Sequence, residues 1–401
     1  MSGLGVIETH PIQYHAPVYR VLQREHGIPV TVIYGSDFSV VGYQDREFGE
    51  TFAWDTDLLG GYASVFLSRV GDGKARSLAE VSWHGLGRAL RQAAPQAVLL
   101  AGYSPRFHQA AFLTAWRAGH PLLFRGETTD HARQRSSPKR WLRDLALRWL
   151  YRRCARLLYV GERSLQHFRR LGCLEQKLVF SPYCVDPSPF QADEAARDPL
   201  RAGTRHELGI AEPDFVLLFS GKLSARKGPE VLLRAARLLP ADLRERTVAL
   251  FLGDGEMAAG LKRTAADHPP LRAYILGFRN QRQLSPYYHA ADLLVLPSLS
   301  SETWGLVVNE ALHHGLPCVV STAVGCAPDL VQPGTTGEVC APGSPDSLAA
   351  AFQRALVLVG RAEGRAACRG KVAAYSVEAA AHGIAQAYWS VVRQTEAVAS
   401  R

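Results

Sequence analysis

No run of apolar residues in this chain approaches the roughly 20 that a membrane-spanning helix needs. The opening MSGLGVIETHPIQY lacks a basic segment followed by an apolar one, so no signal peptide is expected. No two cysteines are spaced as CxxC. The seven (Cys154, Cys173, Cys184, Cys318, Cys326, Cys340, Cys368) are odd in number and dispersed, which points to reduced thiols in a cytosol. There is no His/Cys cluster with metal-ligand spacing, no internal repeat, no low-complexity tract and no nucleic-acid-binding motif. What is present is an ordinary globular composition, 47% apolar and 21% charged, over 401 residues, enough for two domains with substantial cores. The net charge of +9 favours anionic partners: nucleotide phosphates, an anionic membrane surface or nucleic acid.

One stretch organises the rest. Residues 293–296 form a short apolar run stopped by Pro297, which reads as a buried strand. A polar loop, 298–301, supplies N-cap residues. From Thr303 the apolar positions Trp304, Val307, Val308, Ala311 and Leu312 recur at helical spacing, until Gly315 and Pro317 end the helix. Residues 318–320 are the next strand. Strand ends and a helix start thus converge on one crevice, where open α/β sheets bind ligands. Glu302 and Glu310 mark that crevice, eight positions apart, or roughly 12 Å of helix. The helix start between them offers free N–H groups and partial positive charge suited to a pyrophosphate. Two exposed acids on a surface helix would show the same spacing.

The wider pattern, SETWGLVVNEALHHGLPCVVS followed by VGCAPDLV, resembles the E-x7-E signature of retaining GT-B glycosyltransferases of family 4, also called glycosyltransferase group 1. The resemblance covers the second half of the chain well and the first half more loosely. It implies two Rossmann-like doubly wound domains facing across a cleft. It also implies that Glu302 faces the donor sugar, that Glu310 holds the ribose hydroxyls, and that Thr303, Trp304, Gly305 and Leu306 border the donor. The family's Gly-Gly-x-Pro-Glu turn is here Gly325-Cys326-Ala327-Pro328-Asp329, so a differently shaped turn is expected. HPIQY (10–14) and WDTDLLGGY (54–62) resemble a bacterial subgroup of the family.

Strands alternating with helices from residue 214 onward predict a parallel, doubly wound second domain, 214–375. Residues 1–190 read as a first, acceptor-side domain, 191–213 as a linker, and 376–401 as helix crossing back onto the first domain, as in the family. The stretch 36–70, rich in Gly, Asp and aromatics (Phe38, Tyr43, Phe48, Phe52, Trp54, Tyr62, Phe66), reads either as an acceptor-side loop or as a packed insertion. His10, Gln13 and Tyr14 stand where the family has a glycine-rich turn. Tyr103, Arg125 and Glu127 lie at ends of expected strands, and are candidates for sugar or acceptor contacts. An Arg125–Glu127 structural ion pair is the equal alternative.

After the strand at 215–219 come Gly221, Lys222, Lys227 and Gly228, matching the family's pair of bases with Lys222 in place of Arg. Two cations at a strand end can neutralise a leaving diphosphate. Gly253 lies in a second glycine turn, and the segment at Phe278 resembles the one bordering the nucleotide base. The function implied is transfer of a sugar from a nucleotide-diphosphate sugar to a sugar, lipid-linked or small-molecule acceptor, hexosyltransferase-like and with retention of configuration. The settings considered are bacterial polysaccharide, glycolipid and secondary glycoconjugate synthesis. A nucleotide-sugar epimerase on the same fold, and a non-catalytic nucleotide-sugar-binding relic, remain as alternatives. No metal or other cofactor is expected, although Asp55-Thr56-Asp57 spells the D-x-D of the other main glycosyltransferase fold. No nucleic-acid partner is expected. Between His131 and Arg170 twelve bases face two acids, Asp144 and Glu162, a net of +10. Within this segment Trp141, Leu142, Leu145, Ala146, Trp149 and Leu150 share one half of a helix, with Leu147 off that face. The half packs on the sheet, or else it lies peripherally on an anionic membrane at the cytoplasmic face.

Overall fold

The computed structural model describes residues 3–41, 43–44, 51–52, 55–72, 77–78, 80–130, 137–266 and 271–399. Phe48, Trp54, Arg133 and Arg135 lie outside these residues. The strands, in chain order, are β1 (Leu4–Glu8), β2 (Val30–Tyr34), β3 (Tyr43–Gln44), β4 (Thr51–Phe52), β5 (Ala63–Phe66), β6 (Ala97–Ala101), β7 (Leu122–Arg125), β8 (Arg156–Tyr159), β9 (Leu178–Phe180), β10 (Phe215–Ser220), β11 (Thr247–Leu252), β12 (Arg272–Ile275), β13 (Leu293–Leu296), β14 (Cys318–Ser321) and β15 (Gly337–Cys340). β3 and β4 form a short antiparallel pair. The others make two parallel sheets, ordered β5-β2-β1-β6-β7-β8-β9 and β12-β11-β10-β13-β14-β15. β10 (FVLLFS) and β11 (TVALFL) have no exposed position, because helices cover both faces of a parallel sheet. In each sheet the strand order reverses beside the first strand, at β1/β6 and at β10/β13, and crevices open at such switch points.

The C-terminal helix Val377–Ala399 returns to the first sheet, burying Ala380, Ala381, Ile384 and Tyr388 against Leu4, Val6 and Leu22. Gly383 allows the approach, since a Cβ there would collide with the Phe180 carbonyl.

Three stretches differ from the sequence expectation. Within residues 191–213, where the local pattern shows no periodicity, Glu194–Glu207 is helical despite Pro199. Asp193 caps it by accepting from the Ala196 N–H at 2.8 Å. The buried Arg205 then fixes it, donating to the Ala290 carbonyl at 3.0 Å and to Asp292 at 2.9 Å. Those partners are over eighty residues away, which is why the local pattern is silent. Second, the stretch 36–70 contains the hairpin β3-β4 and the edge strand β5, whose four residues alternate exposed and half-buried. Third, the helix after β13 is Leu306–His313, three residues later than its apolar spacing suggests. Gly305 sits at φ +100, a left-handed conformation that ends the loop and cannot continue into a helix.

The basic helix Ser137–Arg153 is turned opposite to a sheet-packed reading. Leu147, Leu150 and Tyr151 face the core, whereas Trp141 and Leu142 are each 65% exposed, Leu145 42% and Trp149 38%. On its inward side Arg143 and Asp144 join Asp130 and Arg170 in a charge network. Arg170 donates to Asp130 at 2.7 Å and to Asp144 at 2.6 Å, and this network sets the helix rotation.

Candidate functional site

The C-terminal ends of the two sheets face each other, and side chains cross between them. Glu302, on the loop after β13, forms an ion pair with Lys227 and accepts from the Ser298 hydroxyl at 3.2 Å. Both partners are largely buried, so the pair is weakly screened. Lys222 follows Gly221 at the end of β10. Glu310, on the helix Leu306–His313, is fully buried. It accepts from Tyr288 at 2.7 Å within its own domain and from Tyr14 of the first domain at 3.4 Å. Burial pushes the Glu310 carboxyl up to about 7, only partly offset by the two phenol hydrogen bonds.

Beside Glu310 lies a cavity of about 120 Å³ bordered by Gln13, Tyr14, Gly221, Gly253, Phe278 and Arg279. Its floor is backbone. Gly253 is at φ +134, and a Cβ there would run into the Gly221 carbonyl. Gln13 presents a buried Oε1 with no hydrogen-bond partner among the described residues.

A second cavity, about 410 Å³, lies on the first-domain side. Tyr103, Arg125, Glu127 and Arg143 line it, with Ser301 and Thr303 reaching across from the second domain. Glu127 accepts from the Thr303 hydroxyl at 2.6 Å, and burial raises its carboxyl above the usual range. Arg125 is not paired with Glu127. It donates to the Ser181 hydroxyl at 3.1 Å and to the Pro182 carbonyl at 2.6 Å, and lies 5.1 Å over the Tyr183 ring. Arg125 therefore braces the interdomain crossing segment, and its edge only contributes to the cavity wall.

Other expected site residues face elsewhere. The Trp304 indole points into the core, donating to Asn309 Oδ1 at 2.9 Å and packing between Tyr183 and Tyr375. Leu306 packs in the same core. Gly305 sits beside Glu302 and starts the helix. His10 stacks on Phe38 with ring centroids 4.4 Å apart, and burial holds its imidazole down at about 4, so it is neutral. At the turn after β14, Gly325 is indispensable, because a Cβ would collide with the Thr303 carbonyl. Cys326 has φ −80, which any residue adopts, and its thiol is buried. Asp329 accepts from the Glu162 N–H at 2.9 Å and from Tyr375 at 2.9 Å, tying this turn to the first domain. The D-x-D aspartates are held by protein groups: Asp57 caps the Leu59 and Gly60 N–H groups at 3.0 and 2.9 Å, and Asp55 accepts from the Arg282 N–H at 3.2 Å.

Sequence reasoning missed Tyr288, Arg143 and His15. His15 lines the larger cavity and bonds Glu8 at 2.5 Å. Glu8 is held below the usual range because His15 and Tyr19 outweigh the cost of its burial. The HPIQYH segment carried a signal for His15, whereas Tyr288 and Arg143 sit on helices whose patterns say nothing of the cleft.

Two Rossmann-like domains with their strand ends opposed, and a C-terminal helix crossing back, define the GT-B architecture. Solved structures agree. An Anabaena protein, HepE, in complex with UDP and glucose superposes with a TM-score of 0.63 at 17% identity over 100% of both chains. Sucrose-phosphate synthase from Thermosynechococcus elongatus gives 0.65 at 16% identity, covering 99% of this chain and 100% of its own. Residues 201–363 match the family model "Glycosyl transferases group 1", and residues 23–184 match "Glycosyl transferase 4-like domain". The chain belongs to the group 1 glycosyltransferases of family 4. Among curated relatives it is 39% identical over 154 residues to a D-inositol 3-phosphate glycosyltransferase of Catenulispora acidiphila, 34% of either chain. It is 31% identical over 191 residues to the lipopolysaccharide 1,2-N-acetylglucosaminetransferase of Salmonella typhimurium, covering 45% of this chain and 49% of that one. The matched stretch thus spans between a third and a half of these relatives.

Proposed function

We propose that this protein transfers a hexosyl group from a nucleotide-diphosphate sugar to an acceptor hydroxyl, with retention of anomeric configuration, in bacterial glycoconjugate synthesis. The observation that carries the reading is the placement of two carboxylates with separate partners in one crevice: Glu302 against Lys227, and Glu310 against Tyr14 and Tyr288. Glu310 beside the small cavity takes the ribose hydroxyls. The base lies toward Phe278 and Gln13, and the diphosphate lies over the Gly221–Gly253 floor. Lys227 and Lys222 neutralise the charge that grows on the leaving diphosphate. Glu302, held by Lys227, orients the sugar and stabilises positive charge at its anomeric carbon. The acceptor enters through the larger cavity and attacks from the face the diphosphate leaves. Side-chain cations and the free N–H groups of the helix Leu306–His313 serve the phosphates, so no metal is assigned a role.

The test is turnover with UDP-, GDP- and ADP-sugars, with the first-formed product anomer read by NMR. Release of nucleoside diphosphate with the donor's configuration retained supports the reading. Inverted product, or an epimerised sugar nucleotide without transfer, overturns it.

A specific observation supports peripheral attachment to an anionic membrane. At 100° per residue, Arg148, Trp141, Arg152, Leu145, Trp149 and Leu142 fall in one 120° sector of the helix Ser137–Arg153, and all are exposed. Tryptophans and leucines flanked by arginines suit an interfacial position on an anionic bilayer. No helix among the described residues is long and apolar enough to cross one.

A further inference from the structure

The larger cavity has a charge arrangement that selects among acceptors. It is polar-walled, with hydroxyls from Ser104, Thr128, Ser301 and Thr303, and its volume of about 410 Å³ lies within the range of small-molecule sites, roughly 300–1,000 Å³. Two guanidinium groups reach its wall, and each is already engaged. Arg125 donates to Ser181 and Pro182. Arg143 donates to the Tyr103 hydroxyl at 3.3 Å and faces Asp130 at 3.4 Å and Asp144 at 3.5 Å. Arg143 and Arg170 together match Asp130 and Asp144, leaving no surplus cation in that network. The acid in the wall is Glu127. One oxygen accepts from Thr303, and the other has no hydrogen-bond partner among the described residues. A carboxylate with an open oxygen beside hydroxyls accepts hydrogen bonds from a polyol. The same carboxylate repels a phosphate ester, and both guanidinium groups already spend N–H donors on protein acceptors.

We propose that this cavity takes an uncharged, polyhydroxylated acceptor unit, a glycosyl residue without phosphate at the bound position, and that Glu127 is the specificity-determining residue. The inference rests on the glycosyl-transfer reading and names its acceptor class. Because Thr303 follows Glu302 directly, the Glu127–Thr303 hydrogen bond also places the acceptor contact next to the donor sugar.

The experiment is saturation-transfer NMR and calorimetry on the full chain with UDP present. The probes are the methyl glycosides of glucose, galactose and mannose, against glucose 6-phosphate, each at tens of millimolar. At least one methyl glycoside is expected to bind, and glucose 6-phosphate to bind about tenfold or more weakly than the best of them. Glu127→Gln should narrow that gap to within about threefold by weakening the glycoside and admitting the phosphate ester. UDP binding by each variant is the control for folding. Glucose 6-phosphate bound as tightly as the glycosides, no glycoside bound at all, or a selectivity unchanged in Glu127→Gln would each overturn the acceptor inference. With UDP still bound, the donor reading survives these outcomes. Failure of the wild-type chain to bind any nucleoside diphosphate would sink both.

Discussion

Replacing Glu310 by glutamine should stabilise this protein at alkaline pH while weakening its hold on the donor. Burial holds the Glu310 carboxyl up at about 7 against an ordinary value of 4.5. Between those values the folded state keeps a proton that the unfolded state has lost. Stability therefore falls as pH rises through this window, and levels off above about 7. A shift of that size corresponds to roughly 3 kcal/mol across the window. Glutamine has no ionised form, keeps a carbonyl for the Tyr288 hydroxyl, and places its amide toward the Tyr14 hydroxyl, which can accept as well as donate. The variant should match wild type near pH 4.5 and exceed it by about 3 kcal/mol at pH 8. The assay is denaturant unfolding of both proteins at several pH values, following the second domain, with calorimetric UDP titrations alongside. Losing the carboxylate that accepts ribose hydroxyls should cost about 1.5–3 kcal/mol of UDP affinity. Wild-type affinity should rise about tenfold from pH 6 to pH 8 as Glu310 ionises, and the variant's should not. A stability difference that stays flat with pH would refute the buried-carboxyl argument. UDP affinity unchanged at pH 8 would remove Glu310 from the donor site.

Lys227→Ala should lower kcat by about 10²–10³ with a smaller change in donor affinity, because its charge matters most as the diphosphate departs; an unaltered kcat in single-turnover assays would exclude it. Glu302→Gln should likewise act on kcat rather than on UDP affinity, and normal turnover would take Glu302 out of the mechanism. Turnover should persist in EDTA; loss that magnesium or manganese restores would return Asp55 and Asp57 to consideration as ligands. Trp141→Ser combined with Leu142→Ser should reduce co-sedimentation with anionic vesicles and leave the melting temperature nearly unchanged, since both side chains are 65% exposed. Equal recovery of wild type on neutral and anionic vesicles, unaffected by salt, would discard the membrane face.

The alternation of apolar strands with helices from Phe215 onward is a local signal, written in periodicities of two and 3.6 residues. The two parallel sheets follow from it, because buried parallel strands are apolar on both faces. The spacing of Glu302 and Glu310, with glycines at 221, 253 and 305, is local in the same sense. Each sits at a strand end or helix start that its own neighbours specify. Other features rest on partners far along the chain. Arg125 and Glu127 are two residues apart, yet one braces residues 181–183 and the other meets Thr303, 176 positions away. Tyr14 reaches Glu310 across 296 positions. The helix Glu194–Glu207 depends on where Asp292 lies, and the basic helix Ser137–Arg153 is rotated by Asp130 and Arg170 so that its tryptophans face outward. A sequence window records which residues could be buried or bonded, since that depends on side-chain chemistry and spacing. Which of them are buried or bonded depends on contacts formed only when both domains have packed, and those are set by the summed geometry of the chain and not by any one segment of it.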